Sequence, residues 1–122
     1  MSNSTLTASQ QSIIHNCLLD LRDSFAWEIK SFLPLALDSL LNSEGFGIEM
    51  SGIYVSIDED QLNIPDYLQD GMAFEFVNEH VILPLNYGAK LINDWCEKNA
   101  IDDREEILLK CQRLKEQYGA QQ

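Results

Sequence analysis

Apolar residues change their spacing twice along this 122-residue chain, and this change limits the possible folds more than any other feature. Before residue 42 they recur at every third or fourth position, as they do on one face of a helix. Between residues 53 and 83 they alternate with polar residues, as in half-buried strands. After Gly88 the helical spacing returns. This order is typical of an α+β domain, in which helices cover one face of an antiparallel sheet.

The helical spacing predicts N-terminal helices and two C-terminal helices. One N-terminal stripe begins at Ile14, and a second runs in unbroken phase from Phe25 to Leu41. Pro34 should kink or restart this second helix, with Ser31 as its N-cap. The C-terminal stripes are centred on Trp95 and Cys111.

The alternating segments predict a central antiparallel sheet of three or four strands. Strands are expected around Ile53–Ile57, Met72–Phe76 and His80–Leu83, with Asn78-Glu79 as the two-residue turn of a hairpin. A fourth strand follows if the segment "FGIEM" also pairs. A length of 122 residues fits one domain spanning residues 1–122, within which we expect residues 1–10 to be disordered.

The N-terminal and cysteine patterns favour a cytoplasmic protein. The first residues lack the basic and apolar regions of a signal peptide, and no apolar run approaches the length of a membrane span. Cys17, Cys96 and Cys111 fall at apolar helical positions without C-x-x-C spacing. We therefore expect buried, reduced thiols and no membrane partner.

Charge is distributed very unevenly along the chain. The net charge is −12, and every Lys and Arg lies at or before Lys30 or at or after Lys90. The segment 31–89 contains ten acidic residues and no basic one, so it carries −10 by itself. Nucleic-acid binding is disfavoured because phosphate contacts need Lys and Arg. A large one-sign field instead indicates a basic partner.

The acidic run Asp58-Glu59-Asp60 fails as a calcium loop. Counting from Asp58, Leu62 would occupy a ligand position, Asn63 the glycine position and Gln69 the position of the bidentate glutamate. No Walker loop or nearby base would hold a phosphate-bound magnesium ion. We therefore predict neither a metal nor a cofactor.

Catalytic patterns are also weak. The only side chains suited to general acid–base catalysis near neutral pH are those of His15 and His80. No sequence motif for a catalytic nucleophile accompanies them. Glu75 should point away from Phe74 and Phe76 and face solvent or a partner. We predict no catalytic residue, although a small enzyme that uses the two histidines stays open as an alternative.

Tyrosines among carboxylates are typical of a protein-binding surface, since tyrosine is favoured in binding hot spots and acids supply charge complementarity. Tyr54 and Tyr67 are the expected anchors, and the alternative for Tyr67, which the sequence favours equally, is that it packs under its own loop. The full set of predicted binding residues is Tyr54, Asp58, Glu59, Asp60, Asp66, Tyr67, Asp70, Glu75 and Glu79.

Three stretches, "LNSEGFGIEMSGIYVSID", "GMAFEFVNEHVILPL" and "LINDWCEKNAIDDREEIL", carry a family likeness. Together they resemble bacterial immunity proteins against the ribonuclease toxins of contact-dependent growth inhibition. The likeness covers Leu33 to Tyr118 and consists of a helix ending in G-F-G, an S-G-hydrophobic strand, an F-x-F hairpin and two acidic-start helices.

The resemblance implies a cytoplasmic inhibitor without enzymatic activity. Its expected partner is the basic nuclease domain at the C-terminus of a large exported toxin, which it would neutralise inside the bacterial cell. An acidic chaperone for a secreted effector is the alternative within the binding class.

Overall fold

The computed structural model describes residues 6–26 and 28–119 and confirms the predicted α+β order. Two helices precede a four-stranded sheet, and two helices follow it. The helices are α1 (Ala8–Asp23), α2 (Leu33–Leu41), α3 (Leu85–Asn99) and α4 (Arg104–Gly119). The strands are β1 (Phe46–Gly47), β2 (Ser51–Val55), β3 (Met72–Phe76) and β4 (Glu79–Leu83), with a 3-10 turn at Gln61–Asn63 between β2 and β3.

The strands form an antiparallel meander in the order β1-β2-β3-β4. The short strand β1 confirms the optional fourth strand. Phe46, Ile53, Phe74 and Val81 lie opposite one another across the four strands. All four belong to the main core or pack against it, so this row marks the face that the helices cover.

Helix α1 lies against the sheet, and α4 packs outside α2 and α3. The Cys17 thiol donates to the carbonyl oxygen of Gly52 at 3.4 Å, so α1 touches the middle of β2. At the far end of the helical layer, the buried Tyr118 hydroxyl donates to the carbonyl oxygen of Leu40 at 2.6 Å. The first contact joins α1 to the sheet, and the second joins α4 to α2 within the helical layer.

Two expectations about the N-terminal helices are wrong. Residues 1–10 were expected to be disordered, but Thr7 and Gln10 form a capping box and helix α1 begins at Ala8. Residues 1–5 lie outside the described part of the chain. The stripe beginning at Phe25 does not form one helix. Helix α1 stops at Asp23, and Phe25 is 74% exposed.

Helix α2 restarts at Leu33 with Pro34 in its first turn, as predicted. Ser31 lies one position before the N-cap residue Phe32, yet its hydroxyl still accepts a hydrogen bond from the Leu33 N–H at 3.3 Å. The expected N-cap is therefore displaced by one residue.

The β3–β4 hairpin also turns one residue earlier than expected. Phe76 pairs with Glu79, so Val77 and Asn78 are the two turn residues. Their φ angles are +48° and +68°, as a type I′ turn requires. Glu79 consequently belongs to β4 rather than to the turn.

The three cysteines are free and buried, as predicted. Burial raises the pKa of the Cys17 thiol to about 12, which keeps it protonated and unreactive at neutral pH. Within residues 6–26 and 28–119, no helix is long and apolar enough to cross a membrane.

Candidate functional site: a tyrosine–glutamate cluster on the sheet

The sheet face opposite the helices carries a second row of residues. Gly47, Gly52, Glu75 and His80 lie opposite one another across the four strands. Because side chains alternate along a strand, this row points away from the helical core. The row therefore runs from two glycines, through a carboxylate, to an imidazole.

The two glycines make room for the ring of Tyr54. A side-chain carbon added at either Gly47 or Gly52 would clash with the Tyr54 phenol group. The ring thus lies over the bare backbone of β1 and β2, and Tyr54 is half-buried as a result. Glycine is needed at both positions because of this close approach.

Tyr67 covers the other end of the same row. Its ring stacks on the His80 imidazole with 3.7 Å between centroids and an interplanar angle of 8°. Its hydroxyl donates to Glu75 Oε1 at 2.7 Å. The loop between β2 and β3 therefore folds back over the sheet and places a second half-buried tyrosine there.

Glu75 consequently stands between two tyrosines, and we call Tyr54, Tyr67, Glu75 and His80 the tyrosine–glutamate cluster. Burial and then the Glu75 carboxylate raise the pKa of both phenols, so both remain neutral hydrogen-bond donors at physiological pH. Glu75 Oε2 has no hydrogen-bond partner among the described residues, and Glu75 forms no ion pair with them. The cluster combines aromatic surface with an unpaired, half-buried negative charge.

The acidic run behind β2 divides into one buried and two exposed carboxylates. Asp58 is only 4% exposed, and its two oxygens accept from the backbone N–H groups of Gly45 and Asp60, both at 2.9 Å. Glu59 and Asp60 are exposed. The expectation that Asp58 contributes to an exposed docking surface therefore needs correction. Both oxygens of its carboxylate are occupied by hydrogen bonds from the backbone.

The remaining predicted acids are on the surface. Asp66, Asp70 and Glu79 are all exposed, and Asp66 directly precedes the stacked Tyr67. Since residues 31–89 contain no Lys or Arg, the loop and strands around the cluster supply only negative charge. The structure thus brings Tyr54, Tyr67 and Glu75 together, with the exposed Asp66 next to Tyr67 in the chain. Glu79 does not join them, because it lies two residues before the core residue Val81 and so shares the helix-facing side of β4.

The two histidines do not meet. His15 projects from α1 toward α3, where its Nδ1 accepts from Trp95 Nε1 at 2.9 Å, beside a groove of about 210 Å³. His80 lies on the opposite face of the sheet. A shared acid–base site of the two imidazoles is therefore not formed. Among the described residues, no three His, Cys, Asp or Glu side chains are grouped to hold a metal.

Sequence reasoning missed His80, Gly47 and Gly52 as members of the site. The signal that would have found His80 is the hairpin register, because a turn at Val77 and Asn78 places His80 directly opposite Glu75. Comparison with family models, with curated proteins and with solved structures finds no match to this chain.

Proposed function

We propose that this protein is a cytoplasmic immunity protein that binds and neutralises a nuclease toxin domain through the tyrosine–glutamate cluster and its surrounding acids. The observation that carries the proposal is the cluster itself. It offers half-buried tyrosines and a carboxylate without an ion pair among the described residues, on a sheet face opposite the helices and within a segment that has no Lys or Arg.

The chemistry of a nuclease explains why such a surface would inhibit it. An enzyme that cleaves RNA or DNA binds phosphates with Lys and Arg, so its substrate channel is basic. An acidic surface can cover that channel and exclude the nucleic acid. Opposite charge also speeds capture, by one to several orders of magnitude at low salt.

Affinity needs more than charge. Nanomolar binding corresponds to about −12 kcal/mol, whereas exposed rim charges contribute little each. Aromatic side chains that become fully buried in the complex are the usual source of the remainder. Tyr54 and Tyr67 suit this role, because both are held in place by the fold before a partner arrives.

The direct test is to co-express this protein with the C-terminal domain of a candidate nuclease toxin, chosen from the products of the genes that adjoin its own. We expect a stoichiometric complex with a dissociation constant of about 10 nM or lower, in which the nuclease no longer cleaves RNA. Absence of a complex would refute the proposal. A tight complex that still cleaves RNA would also refute it and would favour a chaperone.

A charge-reversal pair tests whether the proposed surface is the one that binds. D66K/D70K should slow association about tenfold at low salt and reduce its dependence on salt. E28K/E116K changes the net charge equally at exposed positions outside the segment 31–89 and is the matched control. An equal effect of both pairs would show that net charge alone, and not this surface, guides binding.

A further inference from the structure

We infer that the tyrosine–glutamate cluster binds the guanidinium group of an arginine side chain from a basic protein partner. This inference rests on the proposed function and specifies which chemical group of the partner the site recognises. Three features of the cluster lead to it: the state of Glu75, the aromatic rings on either side of it, and the charge around it.

Glu75 is a half-buried carboxylate with no cationic partner in the described fold. Partial burial of a carboxylate has a desolvation cost, and a single hydrogen bond from a neutral phenol offsets only part of it. The Tyr67 hydroxyl engages Oε1 and leaves Oε2 open, while an ionised carboxylate can accept about four hydrogen bonds. The group that best satisfies the remaining positions is a cation with several donors.

The aromatic surroundings favour arginine over lysine. Gly52, the neighbour of Glu75 in β2, lies under the ring of Tyr54, and His80, its neighbour in β4, lies under the ring of Tyr67. A planar guanidinium can stack on such rings while its N–H groups form a fork with the carboxylate. A lysine ammonium is more strongly hydrated and cannot form that two-pronged contact.

The negative charge around the cluster favours an arginine that belongs to a basic protein surface. The exposed Asp66 directly precedes Tyr67 and adds negative charge beside the cluster, and the segment 31–89 contains no Lys or Arg that could occupy it from within. A small quaternary ammonium compound would also suit aromatic rings. It would, however, donate no hydrogen bond to the free lone pairs of Glu75.

The test is an NMR titration of the ¹⁵N-labelled full-length protein with N-acetyl-arginine N-methylamide. The lysine analogue and tetramethylammonium are titrated separately as comparison ligands. We expect saturable shifts of the amide signals of Gly52, Glu75 and His80, with an apparent dissociation constant about tenfold lower for the arginine analogue than for the lysine analogue.

Two variants, E75Q and Y67F, test which group binds the arginine, and E49Q is the control. E75Q keeps an acceptor for the Tyr67 hydroxyl and should weaken arginine binding about tenfold, whereas Y67F should weaken it less because the ring remains. E49Q removes an equal charge at an exposed position of the same acidic segment and should leave binding unchanged. Thermal melting of each variant verifies that it is folded.

Three results would overturn the inference. They are a lack of saturation with the arginine analogue, equal or tighter binding of lysine or tetramethylammonium, and an equal loss of binding in E49Q and E75Q. The titration uses no toxin, so it can succeed when the toxin complex fails to form. It can also fail when the complex forms through other contacts, so the two proposals are tested separately.

Discussion

Asp58 closes the loop between β2 and β3 by accepting hydrogen bonds from the backbone N–H groups of Gly45 and Asp60. Burial alone would favour its neutral form. The two N–H groups, together with the Asn63 side chain, outweigh burial and hold the pKa of Asp58 below its usual value. A charge that looks like part of a binding surface in the sequence is therefore a structural contact.

The first prediction follows at this residue scale. D58N should lower the free energy of unfolding at pH 7 by about 1–3 kcal/mol, because it places an amide donor against backbone N–H groups. Since the folded-state pKa is depressed, the wild-type advantage is complete above the unfolded pKa of about 3.9 and disappears as the pH falls through the folded value.

Urea unfolding measured between pH 7 and about pH 3 tests this dependence. The neighbouring variant E59Q, which changes an exposed carboxylate, should stay within about 0.5 kcal/mol of the wild type at pH 7. Equal stabilities of D58N and E59Q, or a D58N deficit that grows as the pH falls, would contradict the role assigned to Asp58.

The β3–β4 hairpin shows at the scale of an element why part of the site could not be predicted. Local turn chemistry favours Asn or Gly at positions with positive φ, so Val77 is an unexpected turn residue. It nevertheless has a φ of +48°, and its N–H donates to the Met50 carbonyl at 2.9 Å. Long-range pairing with β2 and β4 overrides local preference here, and the resulting register places His80 beside Glu75.

The hairpin leads to a second prediction, because a β-branched residue in the left-handed region is strained. V77N should raise the free energy of unfolding by about 1 kcal/mol, the lower end of the cost of such strain. V77T keeps the β-branch and is the matched control, so it should bring no gain. Thermal and urea denaturation compare the three proteins, and a gain in V77T equal to that in V77N would exclude backbone strain as the cause.

At the scale of the whole molecule, the fold and the site differ in how far the sequence predicts them. Hydrophobic periodicity is a short-range signal, and it predicts the α+β order and the buried cysteines correctly. Tyr54, Tyr67 and Glu75 could be identified as polar or aromatic positions outside the core. Their proximity could not, because it depends on β-strand register and on a loop that folds back over the sheet.

The uneven charge leads to a last prediction, in which one cause has two opposite effects. Among the described acids of the segment 31–89, only Asp38 forms an ion pair, with Lys110. The other acids repel one another, so adding KCl should screen that repulsion and raise the free energy of unfolding by about 1 kcal/mol or less. The same salt should slow association with a basic nuclease domain, because it screens the attraction as well.

Chemical denaturation with urea and stopped-flow association, each from about 10 to 200 mM KCl, measure the two slopes on one protein. D66K/D70K should flatten both slopes, since it removes repulsion within the fold and attraction toward the partner together. A fold that loses stability as salt rises would mean that attractive pairs dominate instead. An association rate insensitive to salt would mean that the partner does not meet this acidic surface.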